Sequence, residues 1–336
     1  MLKKTFIIAE AGINHNGDLN IAKKMIKTAK KCGVDAIKFQ SYESESLVTK
    51  NLSLAKYQKK GEKKNYKMIN MLKKYELSKN DQIKLCKYCK KLKIIFMSSA
   101  FDMRSLSFLI KNLNLKILKI PSGEITNLPY LIFAAKSKKK IILSTGMSNM
   151  KEIKEAVTVL IKNGLPKKNL KILHCNTAYP TPHENVNLNV IKKLKSFFKV
   201  DVGYSDHTKD IEISLAAVAI GAQVIEKHFT LNKKWFGPDH ASSLDPNELT
   251  NLVKFIRNIE IAKGSFVKKI TTSEKQNIFF SRKSLVALRN IKKGEKFTEL
   301  NMTVKRPGKG ISPMNWFNVI NKQSKKNFKK DDLIKL

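Results

Sequence analysis

At 336 residues the chain can bury a full core and exceeds the usual size of one domain, so one large domain plus a small one is expected. Its 42% hydrophobic and 8% aromatic content is ordinary for a globular protein, and the absence of any apolar run of membrane-spanning length excludes a transmembrane segment. The formal charge of +39 is almost all lysine scattered along the chain, with arginine only at Arg104, Arg257, Arg282, Arg289 and Arg306; this argues against a focused nucleic-acid footprint, so no nucleic-acid partner and no membrane are expected.

In chain order, β-like runs alternate with amphipathic helical runs as far as residue 263. Strands are predicted at residues 5–13, 35–40, 94–99, 117–121, 141–145, 170–176, 201–205 and 223–230. The first follows Lys3 and Lys4 but meets Glu10 too early for a signal-peptide core, which points to a cytoplasmic protein. Asp18 opens a helix that Gly33 closes, and Ser78 with Asp81 opens another running to Leu92. Between these helices the segment 41–77 is too long for an ordinary connection, and is expected to fold over the top with a short helix at 66–75. Cys86 and Cys89 form a C-x-x-C with no second pair to close a zinc site, and are read as helix positions. Asp245, Pro246 and Glu248 supply an N-cap, a first-turn proline and a capping-box partner for a last helix.

Eight strands separated by crossover helices predict an α/β fold, a (β/α)8 TIM barrel over residues 1–263. A linker at 264–280 and a small, mostly non-helical domain at 281–336 follow.

In such a barrel the reactive groups sit at the C-terminal ends of the strands, so the polar residues there belong to one set. Lys38 and Lys119 each interrupt an apolar strand, where an unpaired ammonium is costly to bury. With hydroxyls from Ser99, Ser122, Ser144 and Ser205 they suit a ligand carrying both phosphate and carboxylate, such as phosphoenolpyruvate. The plain alternative is a pair of surface lysines at strand edges. His207 and His228, at the ends of consecutive strands, can converge on one divalent cation, Mn²⁺ or Mg²⁺, in an open site. His174 is read as a packed strand residue and His183 as a loop residue. Glu10 and Glu124 can hold sugar hydroxyls or move a proton, while Asp239 follows the last strand on a loop that Gly237 and Pro238 turn sharply.

Seven motifs, taken together, resemble the sialic acid synthases: Glu10-Ala-Gly-Ile-Asn-His-Asn-Gly17, Lys119-Ile-Pro-Ser-Gly-Glu124, Leu143-Ser-Thr-Gly-Met147, His174-Cys-Asn-Thr177, Tyr204-Ser-Asp-His-Thr208, Glu226-Lys-His-Phe-Thr230 and Gly237-Pro-Asp-His240. Lys305-Arg-Pro-Gly308 is similar to the arginine loop of that family's antifreeze-like (SAF, β-clip) domain, so the resemblance covers nearly the whole chain. It implies condensation of phosphoenolpyruvate with the open-chain aldehyde of N-acetylmannosamine, giving N-acetylneuraminate and phosphate. The alternative sugar is 2,4-diacetamido-2,4,6-trideoxymannose, giving N,N'-diacetyllegionaminate; the run Gly310-Ile-Ser-Pro-Met-Asn-Trp316 favours the first. By motif position it further implies that Lys38, Lys119, Ser122, Ser144 and Ser205 hold phosphoenolpyruvate and that Glu10, Glu124, Tyr179 and Asp239 face the sugar or the metal-bound water, where a carboxylate serves as general base. Ser99 and Asn176 are further substrate-binding candidates, and Glu10, Glu124, His207 and His228 are the catalytic ones. The resemblance also implies that His207 and His228 would hold the metal, and that in a domain-swapped homodimer Arg306 would reach the sugar of the other subunit. Alanine where relatives have proline, at Ala100, and where many have a carboxylate, at Ala178, are departures from the pattern. A metallohydrolase would need more ligands than two histidines, and a polyanion-binding barrel would not need these mouth residues.

Overall fold

The computed structural model describes residues 4–54 and 67–336, which fall into two compact units, Met1–Gly264 and Ser265–Leu336. In the first, the strands β1 (Phe6–Gly12), β2 (Ala36–Ser41), β3 (Ile95–Ala100), β4 (Ile117–Ile120), β5 (Lys140–Ser144), β6 (Leu170–Cys175), β7 (Asp201–Asp206) and β8 (Val224–His228) pair in sequence order, all parallel, and β8 closes on β1. The helices are α1 (Leu19–Cys32), α2 (Ser44–Leu47), α3 (Met68–Tyr75), α4 (Lys79–Lys91), α5 (Met103–Lys111), α6 (Leu128–Lys136), α7 (Met150–Lys162), α8 (Asn189–Phe198), α9 (Glu212–Ala219) and α10 (Pro246–Ala262). The predicted barrel is therefore present, and its helix ends follow from chemistry visible in the chain. Asp18 accepts hydrogen bonds from the amides of Asn20 and Ile21, Gly33 takes the left-handed conformation (φ 84°) that stops α1, and Asp245 forms the capping box with Glu248. Cys86 and Cys89 are positions on α4. Of the expected helix at 66–75, α3 occupies Met68–Tyr75, and Tyr66 lies outside the described residues.

The barrel interior is layered because strand side chains alternate. Ile8, Ala36, Met97, Ile142, Leu173 and Val224 form an apolar floor inside it, with Phe6 and Ile117 packed against them. Gly203 belongs to the same layer: a Cβ on it would lie 2.4 Å from the Val224 carbonyl and 2.7 Å from Leu173 Cδ2. Two residues further along each strand, about 7 Å higher, come Glu10, Lys38, Ser99, Lys119, Ser144, Cys175, Ser205 and Glu226. The alternate residues, among them Ile7, Phe39, Leu118, Leu143, Ile172, Tyr204 and Ile225, face outward into the main core shared with the helices.

Chain reversals at the mouth are tied down by buried polar contacts. Asn14, after β1, donates to the Phe229 carbonyl (2.9 Å) and to Ser243 Oγ (2.8 Å), joining the first strand's loop to the last strand's. His240 completes the seam, its Nδ1 2.7 Å from Thr230 Oγ1 and its Nε2 3.2 Å from Asn16 Oδ1. In the long β2–α4 connection, Tyr42, Leu54, Met71 and Tyr75 pack with Ile13.

In the second unit, α11 (Thr272–Ser281) occupies much of the stretch expected as a linker. It precedes the antiparallel pair β9 (Ser284–Ala287) and β10 (Met302–Lys305), and α12 (Trp316–Val319) follows. Leu285, Ala287, Ile291, Phe297, Met302, Val319, Phe328 and Ile334 form a separate core there.

Because Gly203 leaves no room for a side chain, Gly203→Ala is expected to destabilise the barrel by about 3 kcal/mol, the upper range for overpacking. Urea denaturation of the variant and the unmodified chain measures this directly.

Candidate active site

Above the apolar floor, four ionisable side chains meet inside the barrel with almost no exposure. Strand register puts Glu10 beside Lys38 across β1–β2 and beside His228 across β1–β8, and puts Ser99 beside Lys119 and Ser205 beside Glu226. Lys38 Nζ lies 2.8 Å from Glu10 Oε2 and 3.6 Å from Glu226 Oε1, and donates to Ser99 Oγ at 2.8 Å. Lys119 Nζ donates to Glu226 Oε1 at 2.9 Å, and Ser205 Oγ donates to the same oxygen at 3.0 Å. Two ammonium groups and two carboxylates so placed offset the cost of burying any one of them.

Their protonation is uneven. Burial raises the Glu10 carboxyl well above the usual range, outweighing the pull of Lys38, with Glu226 adding to the rise. Glu226 is also pushed up by burial, but Lys119 and Lys38 together hold it below the ordinary carboxylate range. Burial lowers the Lys119 ammonium despite Glu226, whereas for Lys38 the attraction of Glu10 and Glu226 overcomes burial. Glu226 Oε2 has no hydrogen-bond partner among the described residues and is open to a donor from a ligand.

A local irregularity aims Glu10. The β1–β2 register shifts between Glu10 and Gly12, and Gly12 has φ 52°. Such a bulge re-aims a side chain next to a site. A Cβ on Gly12 would stand 3.5 Å from Glu10 Oε1, 3.5 Å from His228 Cε1 and 3.6 Å from Asp239 Oδ2, so the glycine keeps a small space open where these three converge.

The two histidines are close and neutral. Their ring centroids are 5.5 Å apart, and Tyr179 stacks on His207 at 4.2 Å while meeting His228 edge-on at 5.5 Å. His207 Nδ1 bonds the Asn176 carbonyl, which can only accept, so Nδ1 carries the proton and Nε2 presents a lone pair. The Tyr179 hydroxyl lies 3.2 Å from that Nε2, and Ser205 Oγ 3.4 Å. Burial lowers His207 to about 4, and burial together with the nearby His207 holds His228 well below the ordinary imidazole range. His228 Nδ1 is buried without a hydrogen-bond partner among the described residues, 3.9 Å from Asp239 Oδ2. Asp239 is itself pushed up to about 6 by burial. Two neutral imidazoles, one with an unpartnered ring nitrogen, are a donor set suited to a divalent cation. Among the described residues no group of three or more His, Cys, Asp or Glu side chains converges to hold a metal unaided.

The remaining expected residues divide. Ser122 Oγ accepts from the Gly146 amide (3.0 Å) and lies 3.3 Å from Cys175 Sγ; Ser144 is buried at the end of β5. Glu124 accepts from Asn127 Nδ2 (2.6 Å), and the Asn176 side chain is bonded within its own loop, to the Asn185 carbonyl and the Ala178 amide, so its backbone rather than its amide meets His207. Beside that loop a cavity of about 460 Å³ is lined by Met147, Met150 and Ile153 together with Asn149, Asn176 and Asn187. His174 bonds the Val186 carbonyl, and His183 is exposed in a turn. Arg306 is exposed after β10, in the second unit. Glu226, which the motif pattern alone assigns no role, joins the site because its spacing of two from His228 on one strand gives both the same face.

Comparison with known proteins agrees over the whole length. Residues 25–268 match the NeuB family and residues 282–336 the SAF domain. N,N'-diacetyllegionaminic acid synthase of Campylobacter jejuni is 52% identical over 99% of this chain and 100% of its own, and the Legionella pneumophila protein of the same name 43% identical over 94% and 89%. The crystal structure of N-acetylneuraminic acid (sialic acid) synthetase from Leptospira borgpetersenii, in complex with citrate, superposes with a TM-score of 0.71 at 38% identity, covering 82% of this chain and 91% of that one. No helix among the described residues is long and apolar enough to cross a membrane. The barrel mouth with its paired carboxylates, lysines and histidines thus lies in a chain that belongs to the NeuB family of sialic and legionaminic acid synthases and carries a SAF domain at its C-terminal end.

Proposed function

We propose that this enzyme condenses phosphoenolpyruvate with the open-chain aldehyde of an N-acylated mannosamine-type sugar and water, releasing phosphate and a nine-carbon sialic acid. The observation that carries this is the buried Lys38–Lys119 pair set beside two neutral imidazoles. With Glu10 protonated, the four-charge group holds two ammoniums against one carboxylate, which favours an incoming phosphate and carboxylate over water. Ser99, Ser144 and Ser205 supply hydroxyls in the same layer, and Ser122, beside Cys175, supplies one just past it. Glu10, holding a proton near neutral pH, hands it to the aldehyde oxygen as the enol carbon bonds the aldehyde carbon. The carboxylate left behind then takes a proton from the water that adds to the adjacent carbon before phosphate leaves.

His207 and His228 would hold Mn²⁺ or Mg²⁺, with the Tyr179 hydroxyl yielding its place on Nε2. When bound there, the cation supplies Lewis-acid polarisation of the aldehyde. Asp239 and Tyr179 face the sugar, and Arg306 completes that site in a second copy of the chain, in a domain-swapped homodimer in the cytoplasm.

Of the two sugars, the diacetamido trideoxyhexose is favoured. The Campylobacter and Legionella relatives are named for its product, and the cavity beside Asn176 joins amide side chains to methionine and isoleucine, as a second acetamido group and a deoxy carbon require. N-acetylmannosamine is the competing substrate; the Leptospira structure is named for the corresponding product, N-acetylneuraminic acid. Phosphate release from phosphoenolpyruvate, followed with each sugar, tests the reading. At least tenfold higher kcat/KM with 2,4-diacetamido-2,4,6-trideoxymannose is expected, about 1.4 kcal/mol of discrimination. The reverse order would assign the N-acetylneuraminate branch, and release with neither sugar would overturn the condensation.

His207→Ala and His228→Ala are each expected to weaken Mn²⁺ binding by more than about 100-fold, beyond the loss typical of an outer-shell partner, and to lower turnover at fixed metal, with circular dichroism unchanged. Undiminished turnover of the unmodified enzyme in excess chelator would contradict the metal assignment.

A further inference from the structure

We propose that a second buried ion pair, Asp206–Lys227, is a positioning device that sets the spacing of His207 and His228; this rests on the reading of those histidines as cation ligands. Asp206 and Lys227 are register partners across β7 and β8, and each directly adjoins one of the two histidines in sequence. Side-chain alternation therefore places the pair on the helix-facing side of the sheet. Their exposures are 0% and 1%, and Lys227 Nζ lies 3.0 Å from Asp206 Oδ2.

The pair is fully engaged. Asp206 Oδ1 accepts from the Thr208 amide (2.8 Å) and Thr208 Oγ1 (2.7 Å), and Oδ2 accepts from Ser214 Oγ (2.6 Å) in the first turn of α9. Lys227 donates to the Thr208 carbonyl at 2.7 Å. Lys227, on β8, is thus pinned to the residue that follows His207, so the step between the two strands is fixed immediately next to both imidazoles.

Stability alone gives no reason for charges there. The neighbouring outward positions are apolar, including Val202, Tyr204 and Ile225. Replacing a buried ion pair by apolar side chains of similar volume is often neutral or stabilising, whereas directional bonds define one geometry. What an apolar pair would not supply is the set of short bonds that hold the end of β7 to β8 at one register.

The test is the double variant Asp206→Leu/Lys227→Met, with Ser214→Ala as a milder change that leaves both charges paired. Melting temperature reports the fold, Mn²⁺ titration by electron paramagnetic resonance reports affinity, and ¹⁴N hyperfine couplings of bound Mn²⁺ report imidazole ligation. The double variant is expected to stay folded with a lowered melting temperature, because the buried Thr208 amide and the Thr208 and Ser214 hydroxyls lose their acceptor, while losing on the order of tenfold in Mn²⁺ affinity, with altered couplings. Ser214→Ala should lose about two- to threefold, a partial effect on the same scale. Unchanged affinity and couplings in folded variants would overturn the positioning role and leave the metal assignment standing. Absence of Mn²⁺ binding in the unmodified enzyme would overturn both. If the double variant does not fold, Ser214→Ala decides by the same two readouts.

Discussion

Closing a parallel sheet into a barrel leaves a narrow interior from which water is largely excluded, and in this chain that interior holds two lysines and two glutamates directly above an apolar floor. None of the four is tolerable alone at that depth. Together they form a compensated group whose balance depends on Glu10, because Glu226 stays ionised between both lysines while Glu10 is held toward its protonated form. In the proposed condensation, anion recognition and proton transfer would therefore draw on the same contacts.

The scaffold serves that group through strand register more than through loops. Each member sits two residues beyond a floor residue on its own strand, so the floor's packing sets the height of the charged layer. Loops act one level higher. Gly12 keeps space open where Glu10, His228 and Asp239 converge, and the Asn14 and His240 contacts hold the loop bearing Asp239 against the first strand's loop. On the opposite side of the sheet, Asp206 and Lys227 carry the only buried lysine–carboxylate pair outside the mouth among the described residues.

Much of this was legible in the chain. Helix caps at Asp18, Gly33 and Asp245 are local chemistry, and Lys38 and Lys119 stand out because lysine within an apolar strand demands a partner. The partner was harder to see. In Glu226-Lys-His228 three polar residues run together, and only the alternation of strand faces shows that Glu226 joins His228 while Lys227 turns away. Glu124 and Asn176 stand at strand ends as expected, yet their side chains are taken by Asn127 and by the Asn185 loop; a turn just past a strand hides side-chain direction. The seam from Asn14 to Phe229 joins residues 215 apart in sequence, beyond the reach of any local pattern.

Diffraction from crystals soaked with Mn²⁺ and phosphoenolpyruvate examines the mouth most directly. Anomalous signal for manganese should appear bonded to both His207 and His228, with the enolpyruvyl anion seated on Lys38 and Lys119 above the Ile8–Ile142 floor. Manganese bound elsewhere, or an anion resting away from the two lysines, would contradict a site in which cation and anion are held side by side.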